Sequence, residues 1–184
     1  MPPVPAWLKL GAQALAIAAV GVLGALLVWN LTHQQPPPKV GKPAPAFALP
    51  KLDGKGELSL ASFRGKTVVL NFFASWCEPC KQEAPQLEQV FRQYRSRGVV
   101  VLGVDSGDTR GSARQFLNAH GVTYPVVFDQ NETLAYGRYA LIGLPTTYVI
   151  NPRGRIVGER VSGAVSDKVF APTFRRELTA AMRS

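Results

Sequence analysis

The apolar residues of this chain gather into runs whose spacing changes from one stretch to the next. From Leu10 to Leu31 there is no charged residue, and the composition is mostly Ala, Leu, Val and Gly. About 20 such residues cross the hydrocarbon core of a bilayer, where a central charge would cost about 3 kcal/mol. Trp7 and Trp29 stand near the two ends, where amphipathic rings favour the membrane interface. Further on, Thr67–Ala74 (TVVLNFFA) and Val99–Val104 (VVVLGV) are short, dense apolar runs. They predict strands buried on both faces, as in a parallel sheet. After Cys80 the spacing becomes helical, with Cys80, Ala84, Leu87, Phe91 and Tyr94 on one face. The pattern predicts a helix from Glu78 to Ser96, kinked at Pro85 and ended by Gly98.

The other segments alternate in the same way. Phe47–Leu49 and Glu57–Leu60 flank Asp53-Gly54-Lys55-Gly56, the signature of a hairpin. Asp105-Ser106-Gly107-Asp108 opens a loop, and Gly111–His120 predicts a helix with Ala113, Phe116 and Leu117 inward. Leu134–Tyr139 predicts a short helix. Thr146–Ile150 and Arg155–Val161 form a second hairpin through Asn151-Pro152-Arg153-Gly154, and Ser166–Met182 a final helix interrupted by Pro172. Strands alternating with helices, then a hairpin and a helix, predict an α/β fold with a mixed central sheet flanked by helices.

Composition divides the chain into four parts. Residues 1–9 precede the apolar run, 10–32 are the expected transmembrane anchor, 33–45 are a Pro-rich linker, and 46–184 are the folded domain. Proline-rich sequence favours an extended, semi-rigid spacer. A cleaved signal peptide is the alternative for the first run, but its apolar region is about 7–15 residues with a small-residue cleavage site. Trp29-Asn30-Leu31-Thr32-His33 lacks that pattern. The net charge is +9, yet no five like charges adjoin one another. That argues for a solvated basic surface, facing anionic lipid or an acidic partner, rather than a nucleic-acid site.

The candidate chemistry sits where the first buried strand meets the helix. Trp76-Cys77-Glu78-Pro79-Cys80 places two cysteines at a strand-to-helix turn. The thiolate is the nucleophile in disulfide exchange, and the free amides of a helix N-terminus stabilise it. Cys77 lies at the tip and should be the more exposed sulfur and the attacking thiol; Cys80, one turn in, would resolve the mixed disulfide. Pro79 suits the first turn. Half of a zinc site, or two inert core cysteines, are the alternatives. Zinc needs about four ligands, and beyond these two cysteines the chain offers only His33 and His120. No cofactor is expected other than the redox-active Cys77–Cys80 pair. Trp76 either contacts substrate beside the nucleophile or is a core residue. Glu83 follows Cys80 by three positions and is its helix neighbour, at the edge of the apolar face. It is either a desolvated proton carrier or a solvated helix glutamate like Glu88.

NFFASWCEPC, the VGKPAPAF opening at Val40, and Gly143-Leu144-Pro145-Thr146-Thr147 together resemble the thioredoxin superfamily. More closely they resemble its membrane-anchored, extracytoplasmic branch, the ResA/TlpA/CcmG-like proteins of cytochrome c maturation. The likeness runs from Val40 to the C-terminus. It implies a thioredoxin-like fold with an N-terminal hairpin and a central strand–helix insertion. It implies a cis-proline loop facing the cysteines, with Leu144, Pro145 and Thr146 meeting an extended substrate segment. It favours a functional Glu83, because Asn71 stands where thioredoxin carries its buried aspartate. The implied function is a membrane-anchored thiol–disulfide oxidoreductase, N-terminus inside and catalytic domain outside. It would reduce protein disulfides such as the CxxCH haem site of apocytochrome c and be re-reduced by a membrane thiol–disulfide electron donor. The competing readings are a peroxiredoxin-like peroxidase, with which the VGKPAPAF opening is shared, and a copper-handling protein of related fold.

Overall fold

The structure, a computed structural model, describes residues 6–32, 36–165, 168 and 171–184, with backbone alone at 6–10, 12, 14 and 30–32. The chain separates into two units, Met1–Gln35 and Pro36–Ser184. In the first, the backbone is helical over Ala6–Thr32 (α1). Among the described residues no helix is long and apolar enough to cross a membrane. The expected span over 10–32 is to that extent not borne out. Residues 1–5 and 33–35, parts of the expected N-terminal segment and linker, lie outside the described residues.

The second unit begins with a small hairpin, Ala48–Pro50 (β1) antiparallel to Glu57–Ser59 (β2). Thr67–Phe73 (β3) follows and is buried at every position. Glu78–Tyr94 (α2) returns along the sheet to Val99–Ser106 (β4), which lies parallel to β3. Gly98, with φ 79°, closes the turn between them. Pro85 sits inside α2, which continues through it. Arg110–Ala119 (α3) leads to Val126–Asp129 (β5), parallel to β4. Thr146–Ile150 (β6) and Ile156–Ser162 (β7) form the second hairpin, and β6 runs antiparallel to β3. The sheet order is β5-β4-β3-β6-β7, so the strand that leads into the cysteines is central.

One core lies on each face of the sheet. On one, Val69, Phe73, Val101 and Phe128 pack against Ala84 and Leu87 of α2, Phe116 of α3, and Phe174 and Leu178 of Ala171–Ala181 (α4). On the other, Leu70, Phe72, Leu102 and Val104 pack with Leu134, Tyr139 and Tyr148. Three local expectations are corrected. Asp105 and Ser106 are not loop; β4 continues through them because Asp105 pairs with Phe73 on one side and Phe128 on the other. The expected short helix at Leu134–Tyr139 lies one residue earlier, as a π-helical stretch over Thr133–Arg138 held by Asp129, which accepts from the Leu134 and Ala135 amides. The final helix is described from Ala171, with Pro172 in its first turn, where a missing N–H costs little; residues 166–167 and 169–170 lie outside the described residues.

Candidate active site

The site is assembled at the C-terminal ends of β3 and β4. A strand buried on both faces stops at Phe73, and the chain turns through Ala74–Trp76 into α2. Cys77 is the N-cap of that helix, with its sulfur accepting from the Cys80 amide at 3.3 Å. Cys77 and Cys80 form a disulfide, with Cα atoms 5.3 Å apart. Both are buried, Cys80 at 1 % exposure and Cys77 at 5 %, so the expected order of exposure holds with a small difference. Trp76 beside them is 60 % exposed, which removes the core reading of that residue. Asp108, from the loop after β4, accepts from the Ser75 amide (2.8 Å) and so fastens the turn just before the cysteines.

The peptide bond between Leu144 and Pro145 is cis, as the resemblance implied. Because Thr146 pairs with Phe72, Pro145 arrives beside the end of β3. Leu144 is half-buried and packs against both cores, while Ile142 is exposed. Thr146 is buried and its hydroxyl donates to the Gly143 carbonyl at 2.8 Å. Its side chain therefore braces the loop from inside.

Glu83 is fully buried, at 1 % exposure, well beyond the edge position expected. Asn71 of β3 donates to its Oε1 at 2.7 Å, and the Val165 amide donates to its Oε2 at 2.9 Å. Asn71 also donates to the Thr147 hydroxyl at 3.0 Å. Burial raises the Glu83 pKa to about 7, against the two donors, which lower it. Asn71 thus occupies the centre of a network that joins the active-site helix to β6 and to the segment after β7. The solvated reading fits neither Glu83 nor Glu88. Glu88 is buried too, accepting from the amide and hydroxyl of Thr123 (2.7 Å and 2.5 Å) and pairing with Arg92 at 2.6 Å. Burial would raise its pKa, but these donors outweigh it and hold the carboxyl below the ordinary range.

Sequence reasoning missed Asp105. Its side chain is wholly buried, on the same sheet face as Phe73 and Phe128, and neither oxygen has a hydrogen-bond partner among the described residues. Burial, then the charges of Asp108 and Asp129, raise its pKa to about 8. The available signal was one acidic residue directly after an apolar run. Among the described residues no group of three or more His, Cys, Asp or Glu is placed to hold a metal ion. His120 caps α3 and packs at a tilt against Phe116, with ring centroids 4.7 Å apart and planes at 51°.

The comparisons agree with this geometry. Residues 40–158 match the AhpC/TSA family. The thiol–disulfide oxidoreductase ResA of Bacillus subtilis (strain 168) is 36 % identical over 130 residues, 71 % of each chain. ResA of Bacillus thuringiensis (strain Al Hakam) is 32 % identical over 143 residues, 78 % of this chain and 81 % of its own. A candidate DsbE thiol:disulfide interchange protein from Chlorobium tepidum has a crystal structure similar at TM-score 0.72 and 29 % identity, covering 79 % of this chain and 99 % of that one. A second Chlorobium tepidum thiol:disulfide interchange protein matches at TM-score 0.64 and 31 % identity, over 77 % and 96 %. With a CxxC disulfide at the N-terminus of the helix that follows the central strand, the chain belongs to the AhpC/TSA family, as a thioredoxin-like thiol–disulfide oxidoreductase of ResA type.

Proposed function

We propose that this oxidoreductase reduces disulfides in protein substrates outside the cytoplasm, the CxxCH haem site of apocytochrome c being the substrate class that fits the resemblance. The observation that carries the proposal is the juxtaposition of the helix-capping Cys77–Cys80 disulfide, the cis-Leu144–Pro145 loop and the buried Glu83. In the reduced enzyme the Cys77 thiolate attacks one substrate sulfur, and the other leaves as a thiolate that takes up a proton. Cys80, deprotonated, then attacks the Cys77 sulfur, expels the second substrate thiolate and leaves the disulfide seen here. A membrane dithiol donor restores the thiols. Glu83, titrating near neutrality one helical turn from Cys80, is suited to take the proton from Cys80. Among the described residues the Leu144 N–H and C=O make no hydrogen bond, so they are open to an extended substrate segment; Trp76 supplies an exposed apolar surface beside the nucleophile. The CxxC disulfide favours this reading over a peroxidase, whose peroxidatic cysteine lies in a different local motif.

The enzyme is further proposed to be a single-pass membrane protein with its N-terminus inside. What supports this is the charge-free sequence of 10–31 and the 27-residue helical backbone of α1. At 1.5 Å per residue that is about 40 Å, against a bilayer core of about 30 Å. Two experiments test the proposal. Cys80→Ser should accumulate a mixed disulfide with substrate, and Cys77→Ser should accumulate none; equal behaviour would reverse or abolish the roles. The full-length chain should stay with membranes through alkaline extraction, and release into the supernatant would remove the anchor.

A further inference from the structure

The pole of the domain opposite the disulfide is built from five chain segments. Residues 36–45 are tied down there by Gly41 N–H to the Ile156 carbonyl (2.8 Å) and Ala44 N–H to the Gly154 carbonyl (3.0 Å). Residues 61–66 lead into the start of β3, and Gly65 donates to the Pro152 carbonyl in the β6–β7 turn, 151–155. Residues 95–98 lead into β4, with Gly98 accepting from Thr67. The end of α4 arrives at the same place, since the Thr67 hydroxyl donates to the Ala181 carbonyl and residues 182–184 follow. β3 and β4 start at this pole and end at the cysteines, so the two lie at opposite ends of the sheet.

These five segments contain Lys39, Lys42, Arg64, Lys66, Arg95, Arg97, Arg153, Arg155 and Arg183, and no aspartate or glutamate. All nine are exposed. None takes part in an ion pair among the described residues. Arg64 and Arg155 are held in place by the Arg153 and Gly41 carbonyls, at 2.6 Å and 2.8 Å, which orders the charges without neutralising them. The acidic residues Glu78, Asp105, Asp108, Asp129 and Glu132 all lie at or near the other ends of the strands. A basic isoelectric point near 9.9 is thus concentrated in one face. That face is also where the chain enters the domain, a few residues after its charge-free apolar segment.

We propose that this cationic pole is a membrane-docking surface that binds the anionic phospholipid headgroups of the bilayer, holding the disulfide on the side away from the lipid. Basic residues beside an apolar membrane segment are attracted by anionic headgroups in the leaflet they face, over a range of about one Debye length. In the sequence, four residues separate Leu31, the end of the charge-free run, from Pro36. An acidic protein would meet the same charge, but the position of chain entry favours lipid. Headgroup binding requires neither the redox chemistry nor the anchor, so it can fail while both of those stand.

Both cores lie inside residues 47–182, and a solved relative matches 77 % of this chain over 96 % of its own length, so the 36–184 fragment is a folding unit suited to the test. Co-sedimentation with phosphatidylcholine vesicles containing phosphatidylglycerol is expected to exceed that with pure phosphatidylcholine at least tenfold at low salt, and to fall steeply with added salt. Lys39→Glu, Lys42→Glu and Lys66→Glu together should weaken binding about tenfold or more. Lys51→Glu, Lys55→Glu and Arg176→Glu together, which change net charge equally, should weaken it less than threefold. Trp76 is the fragment's single tryptophan, and brominated anionic lipid should leave it unquenched. Ser96→Trp in a Trp76→Phe background should be quenched. Equal binding to both vesicle types, equal loss from the two triple variants, or quenching of Trp76 would each overturn the proposal. Tighter binding to polyglutamate than to anionic vesicles at physiological salt would assign the pole to an acidic protein instead.

Discussion

Glu83 shows how far one side chain can be read from spacing. Its place beside Cys80 on the helix followed from the sequence, but its depth depends on Asn71, twelve residues earlier, and on Val165, 82 residues later. A negative charge at that depth disfavours a nearby thiolate. Glu83→Gln, which keeps the shape, is expected to lower the apparent pKa of the Cys77 thiol, each unit being about 1.4 kcal/mol. Alkylation rate against pH would measure it, and superimposable curves would make Glu83 a structural residue only. Asp105 could not be read at all, because an acid after an apolar run normally marks the strand's end. Here the flanking strands extend past it and bury it. Its folded-state pKa of about 8 lies above the unfolded value of about 4. The folded protein therefore binds the extra proton, and stability falls as pH rises from about 4 to about 8. Asp105→Asn should flatten that slope and gain on wild type above pH 8, as denaturant titrations at several pH values would record.

At the scale of elements, the strand–turn–helix unit was the most legible part. β3 announces itself by an unbroken apolar run, and α2 by a single apolar face. What fastens these elements was not legible, since each fastener reaches a distant loop. Glu88 looked like any exposed helix glutamate, yet it holds the Thr123 loop before β5. Glu88→Ala removes the charged acceptor of the Thr123 amide and hydroxyl, and should destabilise the fold by about 1–3 kcal/mol with exchange activity per folded molecule nearly unchanged. Asp108 acts on the active-site turn instead. Asp108→Ala frees the Ser75 amide and should slow disulfide exchange severalfold while moving the melting temperature by only a few degrees. A loss of folding without a change in rate would reverse that assignment.

Across the whole molecule, the two cores on either side of one five-stranded sheet make the domain a single packing unit. Leu102→Ala, in the core away from the cysteines, should cost about 2–5 kcal/mol in chemical denaturation and leave the thiol pKa values unmoved. Neither the separation between that core and the chemistry nor the asymmetric distribution of charge was legible, because β4 is apolar on both faces and the charges gather only when distant segments meet. The long span of the Glu83–Val165 hydrogen bond has a consequence during synthesis. A growing chain carries its cysteine pair and α2 long before residue 165 exists, and until then the Glu83 carboxyl has only one of its two donors. If Glu83 acts on the thiols as proposed, their reactivity is set last, by the completed fold. A chain interrupted before Val165 would present the same CxxC motif with its proton balance unset.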